Sequence, residues 1–135
     1  MIKVKGLRTL KLMKQFKVGL IGCGAISTVH LASIKSARLA ELDAVCDIRE
    51  DRARAAAEQY GCRYYTDYKE MLEKENLDAI HICTPHYLHP IIAVYAAGKG
   101  VNVLTEKPMS ITLQDADNMI NACKRNNVAL GGIFQ

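Results

Sequence analysis

The chain has 135 residues, half of them hydrophobic, no tryptophan and a net charge of +4. That length supports one well-cored domain rather than two, and no run approaches the roughly 20 apolar residues of a membrane-spanning helix. Lys3, Lys5, Arg8 and Lys11 carry the whole charge excess in an acid-free stretch, so residues 14–135 are neutral and offer no basic footprint for a nucleic acid.

Residues 1–13 read as a flexible basic extension ahead of a domain that opens near Met13. An organelle presequence is the competing reading, but the stretch has one Arg and no Ser, and it lacks the apolar core of a secretory signal. Beyond it, short apolar runs alternate with helical patterns. A strand over residues 17–22 (KVGLIG) enters a glycine turn, and a helix is expected over 25–37. A second strand at 41–47 (ELDAVCD) is followed by an Ala-rich helix over 50–60 that ends at Gly61. A minor strand at 63–66 precedes a helix over 67–75 with Asp67 as its N-cap. The third long strand, 78–84 (DAIHICT), leads to a helix over 87–97 that stops at Gly98. A strand at 102–106 (NVLTE) is followed by a helix over 112–125, with Thr112 as N-cap, Asp115 three residues on, and Lys124 and Arg125 at its C-terminal end. The last strand is expected at 128–134 (VALGGIF).

Strands this apolar and connections this short predict an α/β fold, a doubly wound parallel sheet with helices on both faces, as a single domain over residues 14–135. Cys23, Cys46, Cys62, Cys83 and Cys123 are odd in number and contain no C-x-x-C pair. Neither a disulfide framework nor a metal site is expected, and the usage fits a reducing cytoplasm.

The first strand runs into Gly22-Cys23-Gly24-Ala25-Ile26-Ser27. In a G-x-G-x-x-G turn the first glycine permits the tight turn and the second lets the backbone approach a pyrophosphate. The third position packs helix on strand, and Ser27 is small enough to take it. The helix that follows aims its free N–H groups at the phosphates. A glycine pattern alone is weak, but this one follows a strand, opens a helix and lies near the start of the domain. Asp47 closes the second strand where an acid would accept hydrogen bonds from the adenosine ribose; its alternative role is N-cap of the 50–60 helix. S-adenosylmethionine domains commonly carry an extra acid before the glycines, which KVGLIG lacks, and FAD domains bring a longer insertion; both stay as alternatives.

Thr84-Pro85-His86-Tyr87-Leu88-His89 and Glu106-Lys107-Pro108 both stand at C-terminal strand ends, on the rim where open α/β sheets bind ligands. Together, VGLIGCGAIS, AVCD, ICTPHYLH, LTEKPMS and GGIFQ resemble the N-terminal NAD(P)-binding domain of the glucose–fructose oxidoreductase/inositol dehydrogenase/MocA family, over roughly residues 16–135. That family consists of nicotinamide-dependent oxidoreductases acting mostly on hydroxyl or keto groups of sugars, inositols and related polyols.

The resemblance implies NAD as cofactor, with NADP as the alternative. Gly22, Gly24, Ala25 and Ile26 would cradle the pyrophosphate. Asp47, with Ile48 and Arg49 beside it, would hold the adenosine ribose; Arg49 is also able to swing onto a 2′-phosphate. Thr84, Pro85 and His89 would line the nicotinamide half, and His86 stands where the family usually has Asn. Glu106 would bond the nicotinamide ribose, and Lys107, the expected catalytic residue, would face the reacting carbon of the substrate. Pro108 fixes the backbone beside Lys107, and the Lys107–Pro108 bond is a candidate cis peptide. A surface lysine beside a turn proline is the plainer alternative. His30 and His81, lacking a ligand set, read as hydrogen-bonded structural residues.

The implied protein is an oxidoreductase moving a hydride between nicotinamide and a sugar, inositol or polyol. A non-enzymatic nucleotide-binding or interaction module is the competing class. The family's α+β substrate domain would follow Gln135. The 135 residues alone are therefore expected to bind NAD without turnover and to self-associate through an uncovered sheet edge at VALGGIF.

Overall fold

Six short strands and five helices alternate along residues 14–135, the part of the chain that the computed structural model describes. The strands are β1 (Phe16–Ile21), β2 (Ala40–Cys46), β3 (Arg63–Tyr65), β4 (Ala79–Ile82), β5 (Asn102–Thr105) and β6 (Leu130–Gly132). The helices are α1 (Ser27–Ser36), α2 (Glu50–Tyr60), α3 (Tyr68–Lys74), α4 (His89–Gly98) and α5 (Leu113–Arg125). The basic extension expected over residues 1–13 lies outside the described residues.

All strand pairs are parallel, in the order β3-β2-β1-β4-β5-β6. The chain winds outward from β1 through β2 to β3, then returns across the sheet to β4 and winds outward the other way. The order reverses between β1 and β4, and the crevice beyond the C-terminal ends of these two strands is where doubly wound sheets hold ligands. Both faces of the sheet are apolar, as the unalternating strand sequences require. Leu31 and Ile34 of α1 and Ala57 of α2 pack with Val18, Leu20 and Val45 on one face. Met71 and Leu72 of α3, Ile92 and Ala96 of α4 and Met119 of α5 pack with Ile80, Ile82 and Val103 on the other.

Local signals set the helix starts. Asp67 caps α3 by accepting from the Lys69 N–H at 2.8 Å, and Thr112 caps α5 by accepting from the Asp115 N–H at 3.1 Å. The region after β4 departs from expectation. Residues 86–88 form a single 3₁₀ turn before α4 opens at His89 with Pro90 in its first turn, a position that proline suits because its missing N–H has no helical partner there. Gly98 is the last helical residue rather than the stop; Gly100, at φ +75°, carries the chain out of the helix.

Candidate functional site at the switch point

The glycine turn is built around one forced residue and one free one. Gly22 sits at φ +97°, and a Cβ there would lie 2.6 Å from the Cys83 carbonyl carbon and 2.8 Å from the Thr84 nitrogen. The turn thus presses against the end of β4, an approach only glycine permits. At Gly24 a Cβ would meet no atom within 4 Å. Nothing among the described residues requires glycine at that position, and Gly24 lines the cleft. Ser27 is buried and its hydroxyl donates to the Gly24 carbonyl at 2.6 Å, tying turn to helix. No side chain caps α1, and its first turn holds no acid, which leaves its positive end available to an anion. Ala25 and Ile26 are exposed at its start.

Asp47 joins the two first strand ends. Its Oδ2 accepts from the Cys23 N–H at 2.8 Å and its Oδ1 from the Arg49 N–H at 2.8 Å. It does not cap α2, whose N-cap residue is Arg49 and has no side-chain cap. Ile48 is 89% exposed beside it. Arg49 is paired with Asp51, its NH2 nitrogen 2.9 Å from Asp51 Oδ2. Burial foremost, then the Asp47 charge, pushes the Cys23 thiol up to about 12. Burial does the same to Cys46 and Cys83, also to about 12. These thiols stay protonated and serve the turn as small apolar groups.

A cleft of about 680 Å³ opens over these strand ends. Gly22, Gly24, Asp47, Ile48 and Arg49 line one side of it, and Thr84 and Pro85 the other. The Thr84 hydroxyl is buried without a hydrogen-bond partner among the described residues. A buried orphan of this kind costs stability unless something supplies the missing partner.

The remaining expected residues, Ala25, Ile26, His86, His89, Glu106 and Lys107, do not line the cleft. His86 is exposed in the 3₁₀ turn. His89 is 1% exposed and faces inward; its Nδ1 lies 2.8 Å from the Pro108 carbonyl oxygen and its Nε2 2.9 Å from that of Thr84. Glu106 is 8% exposed. Its Oε1 is 2.9 Å from His30 Nε2, and its Oε2 accepts from the Lys107 N–H at 3.0 Å. The His30 hydrogen bond is the main influence holding the Glu106 carboxyl below its ordinary value; burial opposes it, and the Lys107 N–H adds to it. Lys107 is exposed, and its bond to Pro108 is cis. Among the described residues no group of three or more His, Cys, Asp or Glu side chains is placed to hold a metal ion, and no helix is long and apolar enough to cross a membrane.

Residues 16–133 match the family described as the GFO_IDH_MocA oxidoreductase family, NAD-binding Rossmann fold. The chain belongs to this family. It is 40% identical over 123 residues to a D-apiose dehydrogenase of Paraburkholderia graminis, a match covering 90% of this chain and 33% of that enzyme. It is 36% identical over 115 residues to a myo-inositol 2-dehydrogenase of Thermotoga maritima, covering 84% of this chain and 34% of the relative. Among solved structures, the WlbA dehydrogenase from Bordetella pertussis in complex with NADH and UDP-GlcNAcA superposes with a TM-score of 0.86 at 35% identity, covering 89% of this chain and 37% of that one. The chain spans about a third of the length of these relatives.

The cleft of this Rossmann domain suits NAD on its own terms. Gly24 leaves open room where a pyrophosphate would approach the backbone, the first turn of α1 is uncapped, and Thr84, whose buried hydroxyl has no partner among the described residues, lines the opposite side. Cleft residues not expected from the sequence are Ile21, Cys46, Arg52, Thr66, Asp67, Tyr68, Cys83, Tyr87, Leu88 and Ile92. Tyr87 and Leu88 lie inside the TPHYLH segment and were within reach of the motif. Tyr68 and Ile92 come from helices α3 and α4, and only the strand order brings them there. The His30–Glu106 contact was also missed; it joins α1 to the end of β5 across 76 residues.

Proposed function

We propose that this domain is the cofactor half of an NAD(H)-dependent oxidoreductase acting on a hydroxyl or keto group of a sugar, inositol or related polyol. The observation that carries the reading is the meeting, in one cleft, of an open-sided Gly24, the Asp47 carboxylate and an unpartnered Thr84 hydroxyl. The relatives named as D-apiose and myo-inositol dehydrogenases support the substrate class.

In this reading Gly22, Gly24, Ala25, Ile26 and the N-terminus of α1 hold the pyrophosphate. Asp47 keeps lone pairs free for the adenosine ribose hydroxyls while bonded to the Cys23 and Arg49 amides, with Ile48 and Arg49 flanking. Thr84, Pro85 and His86 face the nicotinamide half, His89 supports them from behind, and Glu106 offers a remaining lone pair to the nicotinamide ribose. When bound, NAD supplies the hydride chemistry. Lys107 handles the proton at the substrate oxygen, taking it as the alcohol becomes a ketone and returning it in reverse.

NAD(H) is the preferred cofactor over NADP(H). Asp47 would repel a 2′-phosphate, and at an effective dielectric near 20 two unit charges about 4 Å apart interact by up to roughly 4 kcal/mol before screening. The Asp51 carboxylate already occupies the Arg49 guanidinium that a phosphate would need. The protein works in the cytoplasm, binds no nucleic acid, and self-associates along the β6 edge of the sheet. Titrating NADH and NADPH against the purified chain tests the cofactor assignment: tighter NADH binding is expected, and equal or tighter NADPH binding would overturn it. In the whole enzyme, Lys107→Met should lower turnover by roughly 10²–10⁴-fold with NADH affinity little changed.

A further inference from the structure

Lys107 is an exposed residue on a loop, yet both of its chain neighbours are anchored in the interior. On one side, Glu106 is buried, with Oε1 2.9 Å from His30 Nε2 and Oε2 holding the Lys107 N–H at 3.0 Å. His30 is itself 6% exposed, and its Nδ1 lies 2.9 Å from Nδ1 of His81 on β4, the two rings meeting edge-on. On the other side, the Pro108 carbonyl lies 2.8 Å from Nδ1 of buried His89, whose Nε2 reaches the Thr84 carbonyl at 2.9 Å. Two of the four histidines in the chain therefore hold the residues flanking one lysine, a third, His81, backs His30, and the fourth, His86, is exposed.

We propose that His30, His81 and His89 are positioning residues that bracket Lys107, His30 and His81 through Glu106 and His89 through Pro108. The proposal rests on the reading of Lys107 as the proton-handling residue. The chemistry of each contact is restrictive. An ionised carboxylate only accepts, so the His30 Nε2–H donates to Glu106, and the Nδ1···Nδ1 contact then pairs one protonated nitrogen with one bare one. Carbonyl oxygens also only accept. His89 faces one from each ring nitrogen, so a ring N–H at either position donates to a carbonyl.

Such anchoring has a purpose at this place. β5 ends at Thr105, and the next helix begins only at Leu113, so regular structure does not fix residues 106–108. A reacting group misplaced by about 1 Å can lose roughly 10²-fold in rate. His89 also spans from the end of β4 to the loop after β5, and so locks Thr84, on the cleft wall, to the segment that carries Lys107.

Nuclear magnetic resonance on the ¹⁵N-labelled 135-residue chain tests the bracket without cofactor or substrate. The wild-type spectra should show at least one slowly exchanging ring N–H on His89 and a protonated Nε2 on His30. In His30→Leu the Lys107 amide should exchange with solvent roughly tenfold faster or more, the loss expected for a hydrogen bond to a charged group, while amides of β1 and β4 keep their protection. His30→Gln, whose side-chain N–H can still donate to Glu106, should restore the slow exchange. A His89 ring with no protected N–H, or unchanged Lys107 exchange in a folded His30→Leu chain, would overturn the bracket. If His30→Leu does not fold, the wild-type ring spectra and the His30→Gln exchange rate still decide. Neither measurement depends on NAD binding or turnover, so a failed bracket and a failed functional reading give different results.

Discussion

The two sides of the cleft are held in place by different means. On the glycine-turn side the work is done by backbone: a positive-φ glycine pressed on β4, and one carboxylate receiving two main-chain amides. On the side of Thr84 and Lys107 it is done by buried side chains, with histidines reaching across the sheet to Glu106 and to two carbonyls. A backbone device is written into consecutive residues and fails by collision. A side-chain device is assembled from distant residues and fails by losing a partner or gaining a proton.

Gly22→Ala breaks the first side most severely. It places a Cβ 2.6 Å from the Cys83 backbone at a φ that disfavours every side chain, and should cost about 3 kcal/mol or more, read as a lowered urea midpoint with NADH binding lost. The histidine side should instead break with acid. Burial, with the His30 charge adding to it, lowers His81 to about 4 from an ordinary value of 6.5. Between those values the unfolded chain binds a proton that the folded chain refuses. Stability should therefore be complete above about pH 6.5 and fall as pH drops towards 4, by at most about 3 kcal/mol. Glu106, also lowered, contributes stability above its ordinary value of 4.5 that is lost at still lower pH. Urea unfolding across this range should show the slope, and His81→Leu should flatten its upper part; an equal slope in the variant would mean that other groups carry it.

Gly24→Ala sharpens the contrast within the glycine turn. An added Cβ meets nothing, so stability should stay within about 0.5 kcal/mol, while NADH binding weakens roughly tenfold, about 1.4 kcal/mol, because the methyl occupies ligand space. Unchanged affinity would show that Gly24 does not face the pyrophosphate. The smallest effect is expected from Asp51→Asn: the Arg49–Asp51 pair is open to solvent and exposed pairs contribute little. Its thermal midpoint should not move, but the released Arg49 should narrow the gap between NADH and NADPH affinity.

This division also explains what the sequence disclosed. The strands, the Asp67 and Thr112 caps and the placing of Asp47 beside the glycine turn were legible because each signal lies within a few residues or at a spacing fixed by one strand–helix–strand unit. The cis Lys107–Pro108 bond was anticipated from its proline alone. The start of α4 was misread because an apolar stretch after a Thr-Pro pair does not distinguish a 3₁₀ turn from the first turn of a helix. His30 and His81 gave no signal beyond a structural role: each sits alone in its own segment, 51 residues apart, and the chain of contacts from His81 through His30 to Glu106 exists only once β4 and β5 are laid side by side. His89, expected to line the cofactor site, turned inward because two carbonyls lie within reach of its ring.

The central claim is that the switch-point cleft between β1 and β4 holds NAD(H) with both of its sides engaged. Titrating NADH into the ¹⁵N-labelled chain and following the backbone amides residue by residue tests it most directly. The account predicts saturable shifts confined to residues 22–28, 47–49 and 84–88 and to Glu106 and Lys107, with the outer strands β3 and β6 unmoved. Saturable shifts centred elsewhere, or on the glycine turn with Thr84 and Glu106 silent, would contradict it.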